Sequence, residues 1–312
     1  NYGAGIVNVS GGTISCVYKT QFNSAIYNKI GTVIVSGGTI SNKGNMHYSY
    51  GMHNDGSGDI IVRGGTISGD FGIYNSGTGT VTVSEGTVNG GEYGINNYSK
   101  GNIVVQGGTI EGNCGINNVS QYEYSKGNIV VQGGTINGRN YGIYNTGTII
   151  VGIQSDEKPS IKGNIGIYNT KGKFEFYSGK IQGSSSALRG NITKIKEGYK
   201  IENTRIDNLD TIYLTEKTDL EYIAQIEDNK YYTLKEAIES IDGDNEKTIK
   251  ILKDFELDEK ITFYKNIILD LNNYSITSNY FSIENTGKLT ITDNTETQDG
   301  KIELQDYGGR NL

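Results

Sequence analysis

Few side chains in this sequence could carry chemistry. The carboxylates before residue 150 are Asp55, Asp59, Asp70, Glu85, Glu92, Glu111 and Glu123. Two or three of them brought together could hydrolyse a glycosidic bond. An Asp cluster holding Ca²⁺, with an Arg or Lys base beside it, could cleave a polysaccharide by elimination. Arg63 and Arg139 are the only arginines ahead of Arg189. His47 and His53 are the only histidines. Two imidazoles with no carboxylate or Cys nearby make a poor Zn²⁺ site, so both read as loop histidines. "DGDNE" at 242–246 lacks the Gly and carboxylate spacing of an EF-hand and reads as a helix stop.

Whether any of these groups converge depends on the elements that carry them. "SGGTIS" at 10–15 returns at 36–41, and "RGGTIS", "SEGTVN", "QGGTIE" and "QGGTIN" follow at 63–68, 84–89, 106–111 and 132–137. Self-similarity at such a period means a solenoid or an array. Thr13, Thr39, Thr66, Thr87, Thr109 and Thr135 mark successive units, and Ser160 and Lys180 continue their column at spacings of 20 to 27 residues.

Each unit holds three short apolar segments. The first alternates, as in Val33 and Val35 or Ile60 and Val62, so each pair shares one strand face. The second places one apolar residue after the GGT triplet: Ile40, Ile67, Val88, Ile110. The third, "YGIYN"-like, centres on Met52, Ile73, Ile95, Ile116 and Ile143. Gly and Asn are too dense for helices. The expected architecture is an all-β solenoid: a three-faced parallel β-helix of about eight turns over residues 1–190, each turn burying its apolar side chains against the next at the ~4.8 Å strand spacing. The Gly pairs supply tight corners. Asn28, Asn54, Asn75, Asn97, Asn118, Asn145 and Asn169 close the third segment. They are expected to form a structural ladder, because Asn tolerates corner geometry and its amide can bond to the next turn.

The "VSGGTI…YGIYN" unit resembles the right-handed parallel β-helix of the pectate-lyase-like superfamily. In particular it is similar to the repeat regions of large secreted or wall-attached bacterial surface proteins. The resemblance implies an extracellular, cell-surface or cell-wall location. It implies little about activity, because this fold hosts enzymes, adhesins and plain stalks.

On this frame the carboxylates fall in scattered columns, so no catalytic residue, metal ligand or cofactor is assigned. Cys16 and Cys114 lie four turns apart, ~19 Å by strand spacing. That exceeds the ~7 Å reach of a disulfide, and both are expected as free thiols. Two features suit binding. Ile34, Ile61, Thr82, Val104, Val130 and Ile150 form an outward β-branched row, either a contact stripe or a surface that loops cover. Aromatic insertions at 17–23, 43–50 and 119–126 supply Tyr18, Phe22, His47, Tyr48, Tyr122 and Tyr124. These either recognise a sugar or protein by ring stacking and amide bonds, or are tolerated loops. The Thr column is single and is interrupted at Ser160 and Lys180, which counts against a flat ice-binding array.

After Gly190 the repeat stops. Residues 191–229 read as a small β connector with a turn at "EDNK". Thr233 and Glu236 form a capping box for a helix over 233–241 whose stripe is Leu234, Ala237, Ile238 and Ile241. Short strands follow (Ile249 with Ile251, Ile261 with Phe263, Ile267 with Leu269), "LDLNN" at 269–273 reads as a corner, and Asn285 takes the Asn column. This passage resembles the helix-capped opening of a second β-helix, placed at 230–312.

Up to residue 150 basic and acidic side chains are equal in number, and the net charge of −7 belongs to the remainder. Such a surface gives no electrostatic reason to bind nucleic acid or anionic lipid, and no apolar run reaches the ~20 residues of a membrane span. The leading expectation is a non-enzymatic scaffold, adhesin-like, presenting loops or a face to a glycan or to a host or neighbouring surface protein. The competing expectations are a polysaccharide lyase or hydrolase with active turns partly outside a fragment, and a filament or surface-layer subunit that associates end to end.

Overall fold

The computed structural model describes residues 1–17, 22–44, 48–119, 127–153, 158–217, 222–243, 245–257, 261–278 and 287–304. The protein is an all-β solenoid of about 12 turns with almost no helix. It divides into two compact units, Asn1–Thr215 and Glu216–Leu312.

In the first unit, equivalent letters of successive repeats pair in parallel. Ile14, Ile40, Ile67, Val88, Ile110, Ile136, Ile161 and Ile181 form one continuous column. From Ile40 to Ile181 every member is fully buried. The alternating pairs do the same, from Val33 and Val35 through to Phe174 and Phe176. Each buried Ile or Val contributes roughly 1.5–3 kcal/mol, realised only when the next turn covers it. That dependence makes the column, rather than the single turn, the unit of stability.

The corners show which glycine of each pair is required. Gly12, Gly38, Gly65, Gly86, Gly108 and Gly134, the second of each pair, hold φ between 73° and 79°, where a side chain is strained. The first position has no positive φ, and Glu85 occupies it in the fourth turn, although a Cβ on Gly37 or Gly64 would lie 2.5–2.6 Å from a backbone oxygen.

The stack ends in a different geometry. Strand Leu209–Glu216 folds back antiparallel onto Lys180–Arg189, pairing Ile181 with Ile212 and Lys180 with Tyr213. Asp207 and Asn208 both have positive φ, as a two-residue hairpin turn requires, and they deliver this strand from Tyr199–Ile206. The fold-back satisfies a strand edge that would otherwise be open. The expected connector, 191–229, is thus shared: residues through Thr215 belong to the first unit, and Ala224–Ile226 onward to the second.

The second unit holds a five-stranded and a three-stranded sheet. Ile249, Leu269 and Ile291 stand in parallel register, as do Ile276 and Ile302. Its one helix among the described residues, Leu234–Glu239, has Thr233 as N-cap with the full capping box, and it buries Leu234, Ala237 and Ile238. Ile241, also buried, follows the helix end, and Gly243 has φ 75°. Ile261 and Phe263 are buried, yet only Ile261 makes a strand-like bridge, so they do not form the strand their alternation suggested. Asp270 at the "LDLNN" corner accepts backbone N–H bonds from Asn272 and Asn294. Asn285 lies outside the described residues. No helix among the described residues is long and apolar enough to cross a membrane.

Candidate functional site

The third segment of each turn sets two side-chain columns next to one another. Tyr50, Phe71 and Tyr93 form one, and Tyr27, His53 and Tyr74 the other. The columns lie three residues apart, with Gly51 and Met52 or Gly72 and Ile73 between them, and neither glycine has room for a side chain. A Cβ on Gly72 would lie 2.7 Å from the Gly94 carbonyl oxygen. Register between turns then brings the rings into contact. Tyr50 stacks on Tyr74 with centroids 4.8 Å apart, and Phe71 meets Tyr93 at 5.1 Å.

Two insertions extend this patch. Phe22 and Tyr48 come from consecutive insertions and stack at 5.3 Å with a 14° interplanar angle. Tyr48 in turn stacks on Phe71 at 5.8 Å. Phe22 is 65% exposed and Tyr48 45%, so this end of the patch faces solvent. Both have positive φ, 65° and 72°, an uncommon state for aromatic residues. Asp70 holds Tyr48 by accepting its backbone N–H at 3.0 Å.

His53 sits within the patch, 5.0–5.2 Å from the rings of Tyr27, Tyr50 and Tyr74. It lies on the strand Tyr50–Asn54, not in a loop as its sequence context suggested. Burial lowers its pKa against the opposing pull of Asp55. Asp55 accepts from the Tyr27 hydroxyl, and this bond holds the Asp55 carboxyl below its usual range while raising Tyr27 to about 12. Ser76 donates to Asp55 Oδ1 at 3.0 Å, with the Asn54 carbonyl as a longer alternative at 3.5 Å. Ser76 Oγ also lies 2.8 Å from His53 Nε2, and the tautomer of the ring sets which of the two donates. This is not a nucleophile–base pair. A Ser-activating imidazole needs a bare nitrogen toward the hydroxyl and the carboxylate at its other nitrogen. Here Asp55 lies on the same Nε2 side, at 3.8 Å. The cluster is an uncharged ring surface edged by hydrogen-bonding acids.

A separate polar groove of about 590 Å³ runs along the corner after the GGT segment. Glu111, Asn137 and Lys162 stand in one column there, with Arg139 beside them, and Asn137 donates to Glu111 at 3.4 Å. Glu111 is the one acid among its described lining residues. Among the described residues no three His, Cys, Asp or Glu side chains gather in a way that could hold a metal ion.

The Asn residues form a chain of side-chain bonds. Asn28 donates to Asn54 at 2.9 Å, Asn54 to Asn75, Asn75 to Asn97 and Asn97 to Asn118 each at 2.8 Å, Asn118 to Asn145 at 2.7 Å, and Asn145 to Asn169 at 2.8 Å. The second amide proton of each goes to a glycine carbonyl in its own turn, such as Gly58, Gly79 and Gly101. Ile34, Ile61, Thr82, Val104, Val130 and Ile150 are in register and half-exposed, with Glu175 continuing their row. Cys16 and Cys114 are free thiols. Tyr18, His47, Tyr122 and Tyr124 lie outside the described residues.

The sequence pointed to Phe22 and Tyr48 but did not single out the Tyr50–Phe71–Tyr93 column as a site. The available signal was the second aromatic column three residues on, together with Asp55 and Ser76 immediately after their ladder asparagines. No family model, curated protein or solved structure matches this chain.

Proposed function

We propose that this protein is a non-enzymatic part of a bacterial surface protein. In this reading it is a right-handed, three-faced parallel β-helix of pectate-lyase-like type, and a helix opens a second such stack. Its work is to hold a firm scaffold outside the cell and present the aromatic patch to a glycan. The observation that carries the reading is the run of rings in which Phe22 stacks on Tyr48, Tyr48 stacks on Phe71 and Phe71 meets Tyr50 edge to face, with Asp55 and Asp70 at its edge. Rings offer flat apolar area to the C–H face of a pyranose, and carboxylates accept from sugar hydroxyls. An acidic edge favours neutral sugars over anionic ones.

A glycan array followed by titration calorimetry tests this. A neutral oligosaccharide is expected to bind, and Tyr48→Ala, on an exposed ring whose loss spares the core, should abolish most of the affinity. Absence of any glycan ligand together with turnover of a polysaccharide would reject it.

The groove at Glu111 favours a second reading, a polysaccharide lyase or hydrolase, because Arg139 and Lys162 flank the acid. Hydrolysis by the usual route needs a partner carboxylate, which the described lining does not supply. Turnover that Glu111→Gln removes would establish this reading instead.

A further inference from the structure

We infer a second binding site, at the fold-back that ends the first unit, for a sulfate or phosphate ester borne on a sugar. Lys158, Lys180 and Lys196 line a cavity of about 540 Å³ together with Tyr177, Tyr199 and Tyr213. No acid occurs among its described lining residues. Asp156 and Glu157 lie outside the described residues. Three lysines lining one cavity stand out in a chain whose net charge is −7.

The cavity is made by a break in the repeat. Lys180 takes the column position that Thr holds from Thr13 to Thr135, and it faces Tyr213 across the antiparallel pair. Lys196 Nζ lies 4.1 Å from the centroid of the Tyr199 ring, which holds this cation over an aromatic face. The Tyr177 hydroxyl donates to Glu175 at 2.7 Å, so Tyr177 offers the cavity its ring. Ile206 and Leu214 add apolar wall.

Ligand class follows from these groups. An arginine fork matches a planar carboxylate, whereas separate lysines act as compact point charges that can each meet one oxygen of a tetrahedral ester. The rings and the apolar wall suit the face of the sugar carrying it. The volume is within the ~300–1,000 Å³ of small-ligand clefts. This site is distinct from the aromatic patch, and its failure would leave the proposed function standing.

Calorimetric titration of the full chain tests it with four probes: a hexosamine 6-sulfate, a hexose 6-phosphate, an unsubstituted hexosamine and inorganic sulfate. One or both esters are expected to bind, and the comparison between them reads which ester is preferred. The unsubstituted sugar and inorganic sulfate should each be weaker by about tenfold or more, and Lys180→Gln and Lys196→Gln should each cost about tenfold. Lys158→Gln, at an exposed position, keeps the test open if a variant nearer the core fails to fold. Absence of ester binding in the millimolar range would overturn the inference. So would equal binding of inorganic sulfate, which marks a counter-ion site only, or affinity unchanged in the lysine variants.

Discussion

Asn75 donates a side-chain amide proton to Asn97 at 2.8 Å, while its own oxygen accepts from Asn54 at the same distance and its other proton reaches the Gly79 carbonyl. Every polar atom of the amide is used, in a fully buried position. Asn75→Ala would leave a donor on Asn54 and an acceptor on Asn97 stranded. It should destabilise the first unit by about 2–4 kcal/mol. Replacing the exposed Asn89 should change stability by less than about 0.5 kcal/mol. Denaturant midpoints measured side by side check the contrast, and equal midpoints would remove the ladder from the account.

The corner rule makes a similar contrast between neighbours. Gly86 has φ 79°, and a Cβ there would lie 2.7 Å from backbone atoms of Gly64 and Gly65. Gly86→Ala should cost about 1–3 kcal/mol. Glu85→Ala, one residue earlier at the place other turns give to glycine, should be nearly neutral. Thermal denaturation of the two variants measures the difference.

Stability should fall on mild acidification because of His53. Burial sets its folded pKa below its ordinary value of 6.5. Between the two values the unfolded chain binds more protons, so stability is complete above about 6.5 and declines as pH falls toward the folded value. Asp55, also lowered, adds a loss of the same sign at more acid pH, below its ordinary 3.8. Denaturation between pH 7.5 and 5 should show the first decline in the native sequence and a flatter profile in His53→Gln.

The two thiols should separate kinetically. Cys114 is buried, and burial raises its pKa to about 12, so little nucleophilic thiolate exists at neutral pH. Cys16 is half-exposed. One thiol should react promptly with a thiol reagent in the native protein, and two after denaturation.

Much of the fold was legible because the core columns repeat. Ile40, Ile67 and Val88 occupy equivalent letters, and parallel pairing at fixed spacing leaves them only one mutual arrangement. The fold-back of Leu209–Glu216 was not legible, because antiparallel closure breaks the repeat and leaves no periodic trace. The basic cavity was missed for the same reason: Lys180 reads as a blemish in the Thr column until Tyr213 is set opposite it. The aromatic patch was legible in part. Phe22 and Tyr48 stand out in insertions, but the stacking of Phe22 on Tyr48 and of Tyr48 on Phe71 joins residues far apart in sequence and leaves no periodic trace.

The central claim is that successive turns lie directly over one another, carrying the aromatic columns with them. Spin-label pairs measure this most directly, with Asn8→Cys paired in turn with Val104→Cys, Val130→Cys and Ile150→Cys, all in one outward row. Cys16→Ser removes the reactive native thiol. Pulsed electron–electron resonance should give backbone separations near 19, 24 and 29 Å, rising by about 4.8 Å per turn. Separations that fail to rise in that order, or that spread over tens of ångströms within one pair, would contradict the stacked arrangement and the binding face built on it.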